Sequence, residues 1–464
     1  MFTATQLLAM YLGKLRDIAA KELKQPVSDV VIAVPGWYTD VQRRAVIDAA
    51  AIAGLNPLRI INDTTAVALG YGITKSKSDL PEAEQAARNV VFVDVGHSNY
   101  SVAVVAFSKG QLHVKSTAYD RHLGGRDFDY ALVKHFSEEF KTKYKIDVLS
   151  NPKATFRLST QVERLKKVLS ANAEAPLSVE SIMTDIDASS KLNREQFEGL
   201  ISDLLSRVVA PVEQALKDAG LTPDQVDAIE LVGGSTRVPA IRQRLQSVFP
   251  GKVLSTTLNQ DEAIARGSTF ACAMLSPVFR VRDFAFHDVV PYSIKIRWDK
   301  AQAPTEDEAE LEVFPRGNAI PSTKILSFYR DKPFDLEACY SDPYVLPGAI
   351  NPWIANFHAK SVTADAKGDP SVVKVKTRLN PHGILSFESA YVEEELVEKD
   401  ESMEVDGAAD GAVPAKKKKR VVKKEVPFFS GATSLEKSVL ESLTEKEGQM
   451  HASDKLVMET EVCI

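Results

Sequence analysis

The stretch Leu231-Val232-Gly233-Gly234-Ser235-Thr236-Arg237-Val238-Pro239 constrains this chain more than any other. An apolar run over residues 228–232 reads as a strand and stops at two glycines. Pro239 suits the first turn of a helix, and Ile241, Leu245 and Val248 then recur at helical spacing. Strand, bare turn and helix in that order belong to a mixed α/β architecture. Glycines at the end of a strand let a flat or anionic ligand touch the main chain, and the helix start beyond favours negative charge. A Gly-Gly-Ser turn taken alone is weak evidence for a ligand site.

Two further segments have the same character. Residues 89–101, Asn-Val-Val-Phe-Val-Asp-Val-Gly-His-Ser-Asn-Tyr-Ser, form a buried strand that delivers Asp94 to a glycine-containing turn and returns through Val102, Val104 and Val105. A carboxylate placed there can orient Mg²⁺ or an attacking water beside a phosphate, although an ordinary hairpin with a turn aspartate has the same pattern. In the second segment Asn151 caps a helix that begins at Pro152, with Leu158, Val162, Leu165 and Leu169 as its apolar stripe. Glu163, Lys166, Lys167 and Ser170 share the adjoining face, at spacings suited either to a nucleoside or to a solvated Glu163–Lys167 pair.

These segments occur in order with Leu123-Gly124-Gly125-Arg126-Asp127-Phe128-Asp129 and Asn259-Gln260-Asp261-Glu262-Ala263. Together they resemble the nucleotide-binding domain of the heat-shock protein 70 (DnaK-type) family, which has the actin-like (ribonuclease-H-like) ATPase fold. Val31-Ile32-Ala33-Val34-Pro35, Gln42-Arg43-Arg44 and Ala53-Gly54-Leu55-Asn56-Pro57-Leu58-Arg59-Ile60-Ile61-Asn62 carry the likeness upstream, and it extends from about Thr3 to about Thr460. Ordinary members have Asn-Glu-Pro-Thr where this chain has Asn62-Asp63-Thr64-Thr65. They have Asp-Leu-Gly-Gly-Gly-Thr-Phe-Asp where it has Asp94-Val95-Gly96-His97-Ser98-Asn99-Tyr100-Ser101. Those departures resemble the heat-shock protein 110 branch.

The resemblance implies an ATP-binding chaperone that exchanges nucleotide on heat-shock protein 70 and holds unfolded, extended apolar polypeptides. It implies ATP or ADP with Mg²⁺ as cofactor, Asp94 as the surviving catalytic carboxylate, and Gly96, His97, Ser98, Gly124 and Gly125 near the phosphates. Adenosine falls to Glu163, Lys166, Lys167 and Ser170 on one side, with Gly233, Gly234, Ser235, Arg237 and Asp261 opposite and Arg237 stacked on the base. Ser101 replaces the second aspartate of the hairpin, so hydrolysis is expected to be weaker than in an ordinary member. No protein metal ligands are assigned.

The likeness also leaves gaps. Actin-like ATPases clamp phosphates between two glycine-containing hairpins, and no Gly-x-Asp-x-Gly strand precedes the one at Asp94. We therefore expect an incomplete chain, truncated at both ends, rather than a genuine short isoform. A truncated client-binding module without exchange or ATPase activity is the alternative function. A sugar or acetate kinase of the same superfold is a distant third, because the short strands after Val289 have no place there.

Composition agrees with a soluble, folded chain: of 464 residues, 44% are hydrophobic and 26% charged. A net charge of -6 gives no reason to expect nucleic acid as the main partner. No stretch approaches the ~20 apolar residues of a membrane span. Three separated cysteines, Cys272, Cys339 and Cys463, suit a reducing compartment, and the cytoplasm is the expected location. The N-terminus is no secretory signal: Thr3 and Gln6 read as a capping box before an amphipathic helix with Leu8, Tyr11, Leu12, Leu15 and Ile18.

Along the chain, residues 1–276 are expected to form the nucleotide-binding domain, with 1–88 a partial first lobe and 89–276 a complete second lobe. Residues 277–288, where Arg280, Arg282 and Asp283 interrupt Val281, Phe284 and Phe286, read as a connector. Residues 289–395 alternate with the period of strands and include a hairpin around Asn380-Pro381-His382-Gly383, resembling the family's β-sandwich substrate-binding domain. The acidic and basic runs in 396–430 read as a charged, disordered linker, and Lys416-Lys417-Lys418-Lys419-Arg420 is set aside as a nuclear signal because an acidic block adjoins it. Residues 431–464 read as a short remnant of a helical lid.

Overall fold

The computed structural model describes residues 1–75, 79–183, 185–279, 281, 284–300, 308–365, 368–397 and 419–462. Arg280, Arg282, Asp283, the acidic run beyond 397, Lys416 to Lys418 and Cys463 lie outside the described residues. The chain divides into two compact units, one made of 16–38 and 55–291, the other of 1–15, 39–54 and 292–464.

In the first unit a mixed sheet runs in the order Ala285–Val289, Gln111–Asp120, Tyr100–Ser108, Arg88–Val95, Ala228–Val232 and Leu254–Ser255. The three strands between residues 88 and 120 are an antiparallel meander, whereas Ala228–Val232 runs parallel to Arg88–Val95, with Asp94 opposite Val232. Strand alternation divides the apolar side chains between two cores. Val91, Val93, Val95, Val102 and Val104 face a core shared with Leu158, Val162, Leu165, Leu169, Ile241 and Leu245. Val90, Phe92, Ala103, Val105 and Phe107 face a second core, built with the Asp63–Thr74 and Ala263–Leu275 helices. Being covered on both sides is why the central residues of these strands, 90–93 and 102–107, are apolar on both faces. The two helices of the second core cross closely at Gly70 and Gly267, where a Cβ on Gly267 would lie 1.8 Å from the Ala66 carbonyl oxygen.

The stretch expected as a connector ends in a strand instead. Ala285–Val289 pairs in parallel with Gln111–Asp120. Phe284 and Phe286 are buried, and the Arg59 guanidinium lies 3.9 Å from the Phe286 ring centre. Asp288 is buried with its Oδ1 accepting from Asn62 Nδ2 at 2.7 Å and Thr65 Oγ1 at 3.0 Å. Alternate residues of the segment thus carry enough apolar area and hydrogen bonding to hold it on the sheet edge.

The second unit contains two antiparallel sheets. One runs Glu310–Phe314, Ile294–Arg297, Asp335–Tyr340, Trp353–Ala359 and Phe428–Ala432, the other Ser322–Arg330, Ser371–Leu379, Leu385–Val397 and Lys419–Glu425. Their inner faces meet through Phe357 and Phe387, with ring centres 5.2 Å apart. The hairpin expected around residues 380–383 is present, closed by Asn380 N on Ile384 O at 3.0 Å. The charged linker is corrected in part: residues 419–425 and 428–432 are strands. The basic strand pairs with the acidic one, Val392 against Lys424 and Glu393 against Lys423, while the ion pair of Glu393 is with Lys374 of the strand on its other side.

The Asp40–Ile52 helix, expected in the first lobe, belongs to this second unit. Its buried Asp40 accepts from Leu385 N at 2.9 Å and from Arg44, and its Asp40 N–H donates to Tyr340 Oη at 2.7 Å. Asp48 accepts from Leu435 N at 3.0 Å, just before the Lys437–Val462 helix. The Thr3–Gln6 capping box forms at the start of the Ala4–Leu23 helix. Of that helix's expected stripe only Leu12 is buried, while Tyr11, Leu15 and Ile18 stay exposed. Helical spacing of apolar residues sets a face but does not ensure that something covers it.

Candidate functional site

The first unit contains a cleft of about 610 Å³ at the C-terminal ends of Arg88–Val95 and Ala228–Val232. That volume is in the range of small-molecule and cofactor sites. Three backbone turns build its wall. Gly96 O accepts from Gly125 N at 3.0 Å and from Ser235 Oγ at 2.9 Å, and His97 O accepts from Arg126 N at 2.9 Å. Gly233 has φ +81°, and a Cβ there would lie 2.4 Å from both Asp94 Oδ1 and the Val95 carbonyl oxygen. Only glycine fits this approach, which presses the 233–235 turn onto the hairpin.

At the floor Asp94 is buried opposite Ser101 in the hairpin register. Burial, and then the charge of Asp63, push its carboxyl up to about 7. Asp63 opens the Asp63–Thr74 helix and is buried as well, its carboxyl pushed up to about 6, chiefly by burial. It accepts from Thr64 N at 2.6 Å and Ser101 Oγ at 3.4 Å. Ser101 therefore contributes a hydroxyl to Asp63 where the family pattern has a second hairpin carboxylate.

The Pro152–Ala171 helix supplies the next wall, capped as expected by Asn151 Oδ1, which accepts from Lys153 N at 3.0 Å. Glu163 and Lys167 form an exposed pair at 2.7 Å, and Lys167 holds the Glu163 carboxyl below the usual range. Ser170 Oγ donates to the Lys166 carbonyl at 3.1 Å. Lys166 is buried against Asp129 at 2.8 Å. Opposite, Arg237 grips Asp261 through both terminal guanidinium nitrogens, at 3.2 and 2.7 Å, and Gln260 through Nε at 3.0 Å. Arg237 holds the Asp261 carboxyl below the usual range, and the fork fixes the guanidinium plane.

Most of the residues expected at the site line this one cleft: Asp94, Gly96, His97, Gly125, Glu163, Lys166, Lys167, Ser170, Gly233, Gly234, Ser235, Arg237 and Asp261. Ser98 and Gly124 do not. Ser98 is exposed at the hairpin tip, and Gly124 is buried where a Cβ would lie 2.4 Å from the His97 carbonyl oxygen. Asp63, Asn99 and Gln260 line the cleft without having been assigned to it. The signal for Asp63 was its place in the Asn62-Asp63-Thr64-Thr65 segment, and for Gln260 its place beside Asp261. Neither adjacency reveals which side chain turns inward.

No group of three or more metal-capable side chains occurs among the described residues, and no described helix is long and apolar enough to cross a membrane. Paired carboxylates at the floor still suit a magnesium ion brought in on phosphates, which uses one or two protein carboxylates and water.

Residues 1–461 match the family model described as Hsp70 protein. The chain is 51% identical to heat shock protein hsp88 of Neurospora crassa, over 99% of this chain and 65% of that protein. It is 48% identical to a heat shock protein homolog of Saccharomyces cerevisiae, over 99% of this chain and 66% of that protein. It is 51% identical to heat shock 70 kDa protein 4 of Rattus norvegicus, over 87% of this chain and 48% of that protein. The chain thus spans slightly less than two thirds of the length of the first of these relatives. With the hairpin, the double-glycine turn and the helix face gathered round one cleft, and the family model matched along nearly its whole length, the chain belongs to the heat-shock protein 70 family, in its heat-shock protein 110 branch.

Proposed function

We propose that this protein is an ATP-binding chaperone of the heat-shock protein 110 type, working in the cytoplasm as a nucleotide exchange factor for heat-shock protein 70 and holding extended apolar segments of unfolded polypeptides. The observation that carries this reading is the convergence of three glycine-containing turns and one polar helix face on a single nucleoside-sized cleft. The first unit is read as the second lobe and part of the first lobe of an actin-like ATPase, and the paired sheets of the second unit as the peptide-binding sandwich.

In this reading Glu163, Lys167 and Ser170 meet the ribose and base edge, Arg237 stacks on the base, and the turn amides around Gly96 and Gly233 face the phosphates. When bound, Mg²⁺ would supply neutralisation of phosphate charge, and Asp94 and Asp63 are the carboxylates placed to hold it. Asp94 also has the burial to orient a water, but with Ser101 in place of the second carboxylate turnover is slow. Exchange activity therefore matters more than hydrolysis.

The test is a titration with fluorescent ATP in Mg²⁺, paired with stopped-flow release of labelled ADP from a heat-shock protein 70. Saturable binding and accelerated release support the proposal. Absence of both, with unfolded peptide still bound, shows a client-binding module instead. Asp94→Asn should abolish residual hydrolysis and leave accelerated release largely intact.

A further inference from the structure

Arg237 meets Asp261 on the open side of the cleft, where its side chain is 50% exposed and that of Asp261 is 60% exposed. An ion pair so exposed is weak in water, and it ties Arg237 only to another surface residue. Gln260 makes the connection inward. Its Oε1 accepts from Arg237 Nε at 3.0 Å, and its Nε2 donates to Thr236 Oγ1 at 2.8 Å. Thr236 is fully buried, and its hydroxyl donates to Gly233 O at 2.6 Å. Gly233 N in turn donates to the Gln260 carbonyl at 2.9 Å. One side-chain amide therefore joins the Arg237 guanidinium to the same glycine whose backbone is pressed against Asp94 and Val95.

The partners fix which end of the amide faces which. Arg237 Nε can only donate, and the Thr236 hydroxyl has given its proton to a carbonyl, so that its oxygen is left to accept. Glutamine carries an acceptor and a donor on one planar group at this reach, whereas glutamate carries acceptors only and leucine carries neither.

We propose that Gln260 is a positioning residue for nucleotide binding: its amide holds the Arg237 guanidinium to the backbone of the double-glycine turn, in the plane in which it meets the base. This rests on the nucleotide reading of the cleft, with Arg237 on the base, and Gln260 acts through Arg237. Without the amide, Arg237 keeps its fork on Asp261, but the two exposed side chains can swing together. A nucleotide must then order both of them as it binds, at a cost in affinity. The fold loses little, because the Thr236 hydroxyl keeps Gly233 O as its acceptor and no buried donor is orphaned.

Affinity for ADP in Mg²⁺ is measured by calorimetric titration for the wild-type chain, Gln260→Leu, Arg237→Ala and the double variant, each checked for an unchanged near-ultraviolet circular dichroism spectrum. Gln260→Leu should lose about tenfold, the size of one hydrogen bond to a charged group. In the Arg237→Ala background the same change should cost nothing further, because the residue through which it acts is gone. A purely structural contact would cost the same in both backgrounds.

Equal losses with and without Arg237, or wild-type affinity in Gln260→Leu, overturn the positioning role and leave the nucleotide reading standing. A wild-type chain that binds no ADP overturns both. Should Arg237→Ala bind too weakly to measure, Gln260→Glu decides, since it keeps the acceptor for Arg237 and gives up the donor to Thr236. Recovery of most of the affinity supports the proposal, and no recovery overturns it. If Gln260→Leu does not fold, Gln260→Met, of similar length and without the amide, takes its place with the outcomes read in the same way.

Discussion

Replacing Asp94 by asparagine should stabilise the first unit at alkaline pH and leave its stability unchanged in acid. Asp94 is 7% exposed, and burial together with the charge of Asp63 raises its carboxyl from an unfolded value of 3.8 to about 7. A carboxyl whose folded value lies above its unfolded value binds a proton on folding. The fold is therefore favoured below pH 4, loses that advantage as pH rises toward 7, and is fully penalised above it. A shift of about three units corresponds to about 4 kcal/mol, a large part of the ~5–15 kcal/mol that holds a domain together. Asparagine has the same shape and no charge, so at pH 8.5 Asp94→Asn should gain a substantial share of that amount. Urea denaturation followed through Trp37, in a Trp298→Phe and Trp353→Phe background, isolates the unit, because those are the chain's other two tryptophans. Wild-type stability that is flat from pH 5 to pH 8.5, with Asp94→Asn matching it throughout, would refute the reasoning. Mg²⁺ with ATP should shrink the difference between the two proteins, since an ion at the floor takes over the role of the proton.

His113 and His287 stack across the paired strands with ring centres 4.6 Å apart, and burial, followed by the charge of His287, holds His113 below the usual range. A histidine lowered by folding stabilises above its unfolded value of about 6.5, and that contribution is lost as pH falls. Protection of the Ala285–Val289 amides from hydrogen exchange, taken relative to the intrinsic rate at each pH, should fall between pH 7 and pH 5, and His113→Phe should remove that fall. In the second unit, Arg44→Ala leaves the buried Asp40 carboxylate without its cation and removes the donor to Leu385 O at 2.6 Å. A loss of about 3–5 kcal/mol is expected in urea, with Asp40→Asn in the same background restoring part of it. An Arg44→Ala protein as stable as the wild type would mean that the helix is not held by this pair.

Local signals were readable from the chain wherever one residue type has one physical use. Asn151 before Pro152 marked a helix start, two glycines after an apolar run marked a close turn, and Leu158, Val162, Leu165 and Leu169 marked a buried stripe. The cleft followed because its parts lie on three such local units, each placed by its own strand end or cap. What the chain did not reveal depends on what each element meets. Tyr11, Leu15 and Ile18 have the spacing of a covered face and remain exposed. Residues 285–288 and 419–425 read as connector and linker because charged residues interrupt the apolar ones and the strands they pair with lie elsewhere in the sequence. The carboxylates differ for the same reason. Asp63 joins the floor, Asp129 lies behind Lys166 and Asp40 holds a hairpin of the other unit, and nothing in their immediate sequence separates these fates. Backbone conformation and amphipathic faces are properties of neighbours in sequence, whereas burial, pairing and the raised pKa values of Asp63 and Asp94 arise only when distant segments exclude water from each other.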